Sequence, residues 1–290
     1  MKVLFFIVII FLLLLVFCNR NKQSFSNNNL SISELTKSLY NGDTLDGYRL
    51  ADVVFYPDYL TRYGADSTID HVYKYPNTIG TKYIKKRFPM LQKLKSKKDL
   101  EIYKDEYFRL EKYILNNLSS LHIDIDLLNE LIDEISLKKE VLHKNTLILH
   151  IRVGDVLCKY GDNRARVYAK IGNVDWWNKV AEYIENNVIT EIIIIAGTHF
   201  KHCLEDSANY LESCKKFLEN KNSFLKIKYK VGMSPDETLV FCKNAKHFIT
   251  TGGGYGFFLG KIVKMNGGNF ALNDSENVKT VRTDKNRILF

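Results

Sequence analysis

The sequence predicts an α/β fold whose C-terminal half is a parallel sheet with helices on both faces. Three features predict it. From residue 146 onward, apolar runs rich in β-branched residues recur, and amphipathic stretches separate them. Residues 192–195 are four consecutive isoleucines. A strand apolar on both sides is buried on both faces, as strands of a helix-covered parallel sheet are.

The expected strands are 146–153, 191–196, 225–231, 246–250 and a short 269–272. The expected helices between them are 175–185, 204–218, 235–245 and 256–265. Asp175 ahead of Trp176-Trp177 marks the entry to the first of these. Before the third, Ser234 is an N-cap, Pro235 suits the first helical position and Glu237 completes a capping box. This alternation looks Rossmann-like. Upstream, 100–118 and 125–137 carry apolar residues at helical spacing, read as core contacts. Residues 48–89 are aromatic-rich, with a strand expected at 51–56 and turn signals at Pro57-Asp58 and Tyr63-Gly64.

At 290 residues, 46% hydrophobic and 12% aromatic, the chain is long and apolar enough for two modest domains with real cores. The charge of +9 and pI near 9.1 suit either an anionic partner or a solvated Lys-rich surface. Zinc-finger spacing and RNA-binding aromatic signatures are lacking, so no nucleic acid partner is expected.

Residues 3–17 form an unbroken apolar run behind Met1-Lys2. The run is short for a membrane span of ~20 residues and long for a signal-peptide core of ~7–15. With no small-x-small cleavage site after it, a signal anchor over 1–22 is expected, a cleaved signal peptide being the alternative. The anchor implies a single-pass type II membrane protein with its body in the Golgi or ER lumen; cleavage implies secretion. Residues 23–44, rich in Ser, Asn and Lys, read as a stem, followed by an N-terminal domain over 45–143 and a Rossmann-like domain over 144–290. Asn29, Asn117 and Asn273 open glycosylation tripeptides. Cys158, Cys203, Cys214 and Cys242 permit disulfides, Cys203 with Cys214 being the simplest, or buried free thiols.

Two motifs could carry chemistry. The first is His150-Ile-Arg152-Val-Gly154-Asp155, at the end of the first strand of the α/β half. Strand alternation turns His150 and Arg152 to one side. Arg152 is a permanently charged fork suited to a diphosphate, and Gly154 permits a tight turn or close ligand approach. Asp155 either orients Arg152 or acts as a base. The bland alternative is an Arg–Asp pair stapling the strand end. The second motif runs Thr250-Thr251-Gly252-Gly253-Gly254-Tyr255, between a strand and a helix. Amides of a Gly-rich turn at a helix N-terminus bind anions, and the Thr hydroxyls add hydrogen bonds. It is neither a Walker A loop nor a dinucleotide Gly-x-Gly-x-x-Gly motif.

The first motif resembles the His-x-Arg-x-Gly-Asp signature of the α1,2-, α1,6- and protein O-fucosyltransferase superfamily. The likeness covers roughly 147–259, where a glycine-containing strand-to-helix loop follows about a hundred residues later. It implies a GT-B-like fold of two Rossmann-like halves, the N-terminal one on the acceptor side. It implies a glycosyltransferase that moves a sugar, fucose by default, from GDP-fucose or another nucleotide sugar to a glycan or protein acceptor. By resemblance Arg152 binds the β-phosphate, and Thr250, Thr251, Gly252, Gly253, Gly254 and Tyr255 line the donor pocket with Gly154. The sequence departs from the family in three ways. A Gly-Gly-x-Gly-Asn-Gln segment is missing, Val153 stands where many relatives have a second Arg, and a triple glycine replaces a Ser-rich loop.

Asp124-Ile-Asp126 reads as a cap or surface pair rather than a metal dyad, so no metal or cofactor is expected and transfer is read as metal-independent and inverting. A base must then take the acceptor proton, and Asp155, Asp162 and His150 are the candidates. His199 follows another strand end and either contacts nucleotide or lies on a surface loop. The rival to an enzyme is a non-catalytic carbohydrate- or nucleotide-binding protein of the same fold.

Overall fold

The computed structural model describes residues 30–40, 77–87, 105, 109, 124–135, 140–157, 170–198, 201 and 203–272. The apolar run 3–17, the three glycosylation asparagines, the expected strand 51–56, Asp162 and His199 lie outside them, as does 100–118 apart from Asp105 and Arg109.

The strands are β1 (Thr146–His150), β2 (Glu191–Ala196), β3 (Lys226–Val231), β4 (His247–Thr250) and β5 (Asn269–Phe270). They form one all-parallel sheet in the order β3-β2-β1-β4-β5. The helices are α1 (Ile32–Leu39), α2 (Ile79–Arg87), α3 (Ile125–Asp133), α4 (Val174–Asn186), α5 (Leu204–Lys221), α6 (Pro235–Cys242) and α7 (Gly254–Met265). The α/β class expected from the alternating pattern is what the chain adopts.

Side chains alternate across the sheet and build two cores. Leu147, Leu149, Ile192, Ile194, Ile227, Tyr229 and Ile249 face one way, where Leu35 and Leu39 of α1, Trp177 of α4 and Leu211 of α5 cover them. Ile148, Ile193, Ile195 and Phe248 face the other way, against Tyr83 of α2, Leu131 of α3, Leu239 of α6 and Phe258 of α7. The isoleucine run 192–195 is buried throughout because it serves both cores in turn. On the edge strand β3 the second face carries Lys228 and Lys230, which pair with Glu191 and Glu140; such edge charges discourage strand addition.

Local signals explain the helix starts. Ser234 and Glu237 form the expected capping box of α6, with Pro235 in its first turn. Asp124 caps α3 by accepting the Leu127 N–H at 3.0 Å. Asn173, two residues before the expected start, caps α4 by accepting from Trp176 N–H at 3.0 Å.

Three expectations are corrected. Residues 32–39, assigned to a stem, form a helix of the body. Ser31 and Glu34 make its capping box, Leu35 and Leu39 are fully buried, and Leu39 C=O accepts the Thr198 N–H at 3.0 Å. Two well-placed leucines outweighed the polar composition around them. Cys203 is disulfide-bonded, but not to Cys214, which is a buried free thiol, as is Cys242. Cys203 is the N-cap of α5 while Cys214 is buried among that helix's core-facing residues, so the two do not meet across a turn. Strand β1 ends at His150 rather than 153, because the chain turns into a short 3₁₀ helix over Gly154–Leu157, with Gly154 at φ 81°.

Candidate functional site

Strands β2 and β3 lie to one side of β1, and β4 and β5 to the other. The strand order reverses direction between β1 and β4, and in such sheets ligands bind beyond the carboxyl ends of the strands at that switch point. Both motifs end there: His150 closes β1, Thr250 closes β4, and the two are register partners.

The loops after these strands are tied together. The Thr251 N–H donates to His150 C=O at 2.9 Å, and the Arg152 N–H donates to Thr251 Oγ1 at 2.9 Å. Thr250 Oγ1 lies 2.9 Å from His150 Nδ1 and accepts the Gly252 N–H at 3.0 Å. Tyr255 packs edge-on to the His150 ring at 6.3 Å, and its hydroxyl donates to Pro235 C=O at 2.7 Å, linking the start of α7 to that of α6.

The glycines permit close approach. A Cβ on Gly253 would stand 3.0 Å from Arg152 Cδ and 3.5 Å from its Nη1, so the Arg152 side chain lies against the glycine turn. Gly253 also has φ 86°, a conformation that other residues rarely adopt. A Cβ on Gly256 would collide with Thr250 Oγ1 and fall 2.6 Å from His150 Nδ1. The missing side chain is what lets α7 start directly over the His150–Thr250 pair. Helix α7 begins at Gly254, two residues before the expected start, and its N-cap Gly253 supplies no side chain to the first-turn amides. Those amides keep their positive end of the helix dipole.

Arg152 Nη2 donates to Asp155 Oδ2 at 3.0 Å, their side chains 31% and 44% exposed. Asp155 is therefore the group that orients the guanidinium. His150 is partly buried; burial and the Arg152 charge lower its pKa from 6.5 to about 4, so the imidazole is neutral at working pH. Its tautomer follows from Thr250. If the Thr250 hydroxyl donates to Gly252 C=O, 3.3 Å away, Nδ1–H donates to Oγ1 and Nε2 is left an acceptor.

The ten residues expected from sequence thus fall in one region. His150, Arg152, Gly154 and Asp155 come from the β1 side, and Thr250, Thr251, Gly252, Gly253, Gly254 and Tyr255 from the β4 side. Two contributors went unnoticed. Gly256 was read only as the start of a helix. Ser207 of α5, fully buried, accepts the Gly154 N–H at 3.1 Å and donates to Cys203 C=O at 2.5 Å, holding the motif glycine in place. Nothing at position 207 marks it in the sequence, because the contact is between elements.

Chemically the site combines a guanidinium, helix amides that receive no side-chain cap and a neutral imidazole, a set suited to an anion carrying a sugar or nucleoside, while the buried Thr250 and Thr251 hydroxyls brace the two loops against each other. Among the described residues, no three of His, Cys, Asp and Glu are grouped as metal ligands would be. No protein-family model, curated protein or solved structure matches this chain.

Proposed function

We propose that the protein is a glycosyltransferase of the fucosyltransferase-like type, with its nucleotide-sugar donor bound at the switch point between β1 and β4. The observation that carries this reading is the meeting of Arg152 with the Gly253 turn: the place a Cβ would occupy on Gly253 lies 3.0 Å from Arg152 Cδ. A permanent cation and a helix N-terminus converge there, the combination a diphosphate requires. The donor is GDP-fucose or another nucleotide sugar, and the acceptor a glycan or protein. The architecture proposed is GT-B-like, the acceptor side coming from the part of 45–143 outside α2 and α3, which pack on the sheet.

In this reaction the acceptor hydroxyl oxygen attacks the anomeric carbon. The bond from that carbon to the β-phosphate oxygen breaks, and the electron pair leaves with the nucleoside diphosphate. Arg152 and the first-turn amides of α7 stabilise the charge that develops on the leaving group, as preorganised donors do. Asp155 holds Arg152 in register. The acceptor proton passes to a base, and His150 is the candidate in the tautomer that leaves Nε2 an acceptor, its low pKa making it a weak one. Inversion at the anomeric carbon follows from a single displacement, and the charge compensation assigned to Arg152 is the basis for proposing metal-independent transfer.

The apolar run 3–17 supports a membrane tether, and the topology proposed is type II, with the body in the Golgi or ER lumen. The test of the function is a screen of nucleotide sugars with the full chain, read by release of free nucleoside diphosphate with and without a glycan array. One donor hydrolysed or transferred above background is the expected result. A donor that binds without turnover on any acceptor points to the non-catalytic reading, and no binding by any donor overturns the assignment.

A further inference from the structure

The opposite end of the sheet carries its own pattern. All five strands are parallel, so their amino ends line one rim in the order β3-β2-β1-β4-β5. With about 4.8 Å between neighbouring strands, the rim is about 20 Å long. Six large apolar residues among those described are well exposed, and three sit in the turns along this rim: Phe224 (94%) before β3, Val188 (68%) before β2 and Met265 (44%) before β5. Exposed lysines alternate with them: Lys226 on β3, Lys144 before β1, Lys246 before β4, and Lys221 and Lys264 in the last turns of α5 and α7. Glu191 and Glu219 near this rim are each paired with a lysine, Lys228 and Lys215. Glu185 is an exposed acid there.

Between the starts of β1, β4 and β5 lies an open groove lined by Lys144, Asn145, Lys246, His247 and residues 267–269. Its floor is fixed. Tyr183 Oη lies 2.8 Å from His247 Nδ1 and accepts from Asn269 Nδ2 at 2.8 Å, while Asn145 Nδ2 donates to Val188 C=O at 2.8 Å. Two lysines thus flank a preformed groove whose neighbours, Val188 and Met265, are apolar and exposed.

We propose that this rim docks on an anionic bilayer. Lys144 and Lys246 hold headgroup phosphate in the groove while Phe224, Val188 and Met265 enter the interfacial layer. Apolar side chains rimmed by lysines are the composition of interfacial binders. Residues 18–29 separate the apolar run from the described body, and twelve residues reach about 40 Å at most. Docking of this kind goes beyond the proposed chemistry and rests on the proposed tether for its location. It leaves the β1–β4 site at the far end of the sheet, facing away from the membrane.

The test uses the full chain reconstituted with phosphatidylcholine vesicles, with or without phosphatidylserine. Phe224→Trp reports contact through quenching by brominated lipid, against Val174→Trp at the start of α4, at the opposite end of the sheet. Wild-type emission from the buried Trp176 and Trp177 is subtracted. Quenching at position 224 several-fold above position 174, increased by phosphatidylserine and lost in Lys144→Glu/Lys246→Glu, is the expected result. Equal quenching at both positions, or indifference to phosphatidylserine, overturns the docking. A chain that co-sediments with both vesicle types while position 224 stays dry leaves the tether standing and the docking refuted. A chain that does not stay with phosphatidylcholine removes the tether, and docking then survives only if phosphatidylserine vesicles bind the chain from solution. Protection of position 224 that grows with protein concentration in the absence of vesicles assigns the rim to self-association instead.

Discussion

His150 sits beneath the first turn of α7 with Thr250 Oγ1 2.9 Å from its Nδ1 and the Arg152 charge nearby. Burial and that charge hold its pKa near 4, against 6.5 for an unperturbed imidazole. The unfolded chain therefore takes up a proton between pH 6.5 and 4 that the folded chain refuses, so stability falls as the pH drops through that window and is complete above it. Replacing His150 with Gln should flatten this part of the Tm–pH curve relative to wild type. His247, also lowered by burial, titrates in both proteins, so its share cancels in the difference. Identical acid slopes in the two proteins would refute the neutral, desolvated imidazole. Asp155 is 3.0 Å from Arg152 Nη2 and is its ion-pair partner, the orienting role that the sequence offers for it beside that of a base. That pairing is local, three residues along the chain, and was therefore legible beforehand; the depressed His150 pKa was not, because it depends on β4 and α7 packing around it.

At the scale of elements, the β4–turn–α7 unit decides whether the site exists. Thr250 ends the strand, Gly252 and Gly253 turn the chain at φ 133° and 86°, and α7 starts immediately. Gly256 is as necessary as the turn glycines, because any side chain there meets Thr250 Oγ1 and His150 Nδ1. Gly256→Ala should cost about 1–3 kcal/mol by overpacking and weaken ligand binding with it, measured by denaturant unfolding and nucleotide titration of the same preparation. Unchanged stability would mean that α7 can shift away from His150 freely. Turn chemistry and capping signals made this unit readable: the glycine run, the Ser234–Glu237 box and the strand runs all predict their elements within a few residues. Ser207 was not readable, since its hydrogen bond to Gly154 joins residues 53 apart across two elements.

For the whole molecule, the sheet order β3-β2-β1-β4-β5 is what brings two motifs a hundred residues apart onto neighbouring strands. Alternation of apolar strands and amphipathic helices made the α/β class legible, and the strand ends then marked where a ligand would sit. Order within the sheet was not legible, because periodicity reports faces and not neighbours. The same blindness explains α1: Leu35 and Leu39 are a sparse apolar signal in a polar stretch, and only contact with α5 and the edge beside β3 gives them a core to join. In the proposed function Arg152 and the glycine turn grip a nucleoside diphosphate together. Isothermal titration of the full chain with GDP and UDP, repeated on Arg152→Ala with its fold checked by circular dichroism, tests it most directly. Saturable binding of one nucleotide by wild type, weakened about tenfold or more in the variant, is predicted, since a charge-assisted contact is worth ~1.5–3 kcal/mol. Equal affinity in the two proteins, or no binding to wild type, would contradict it.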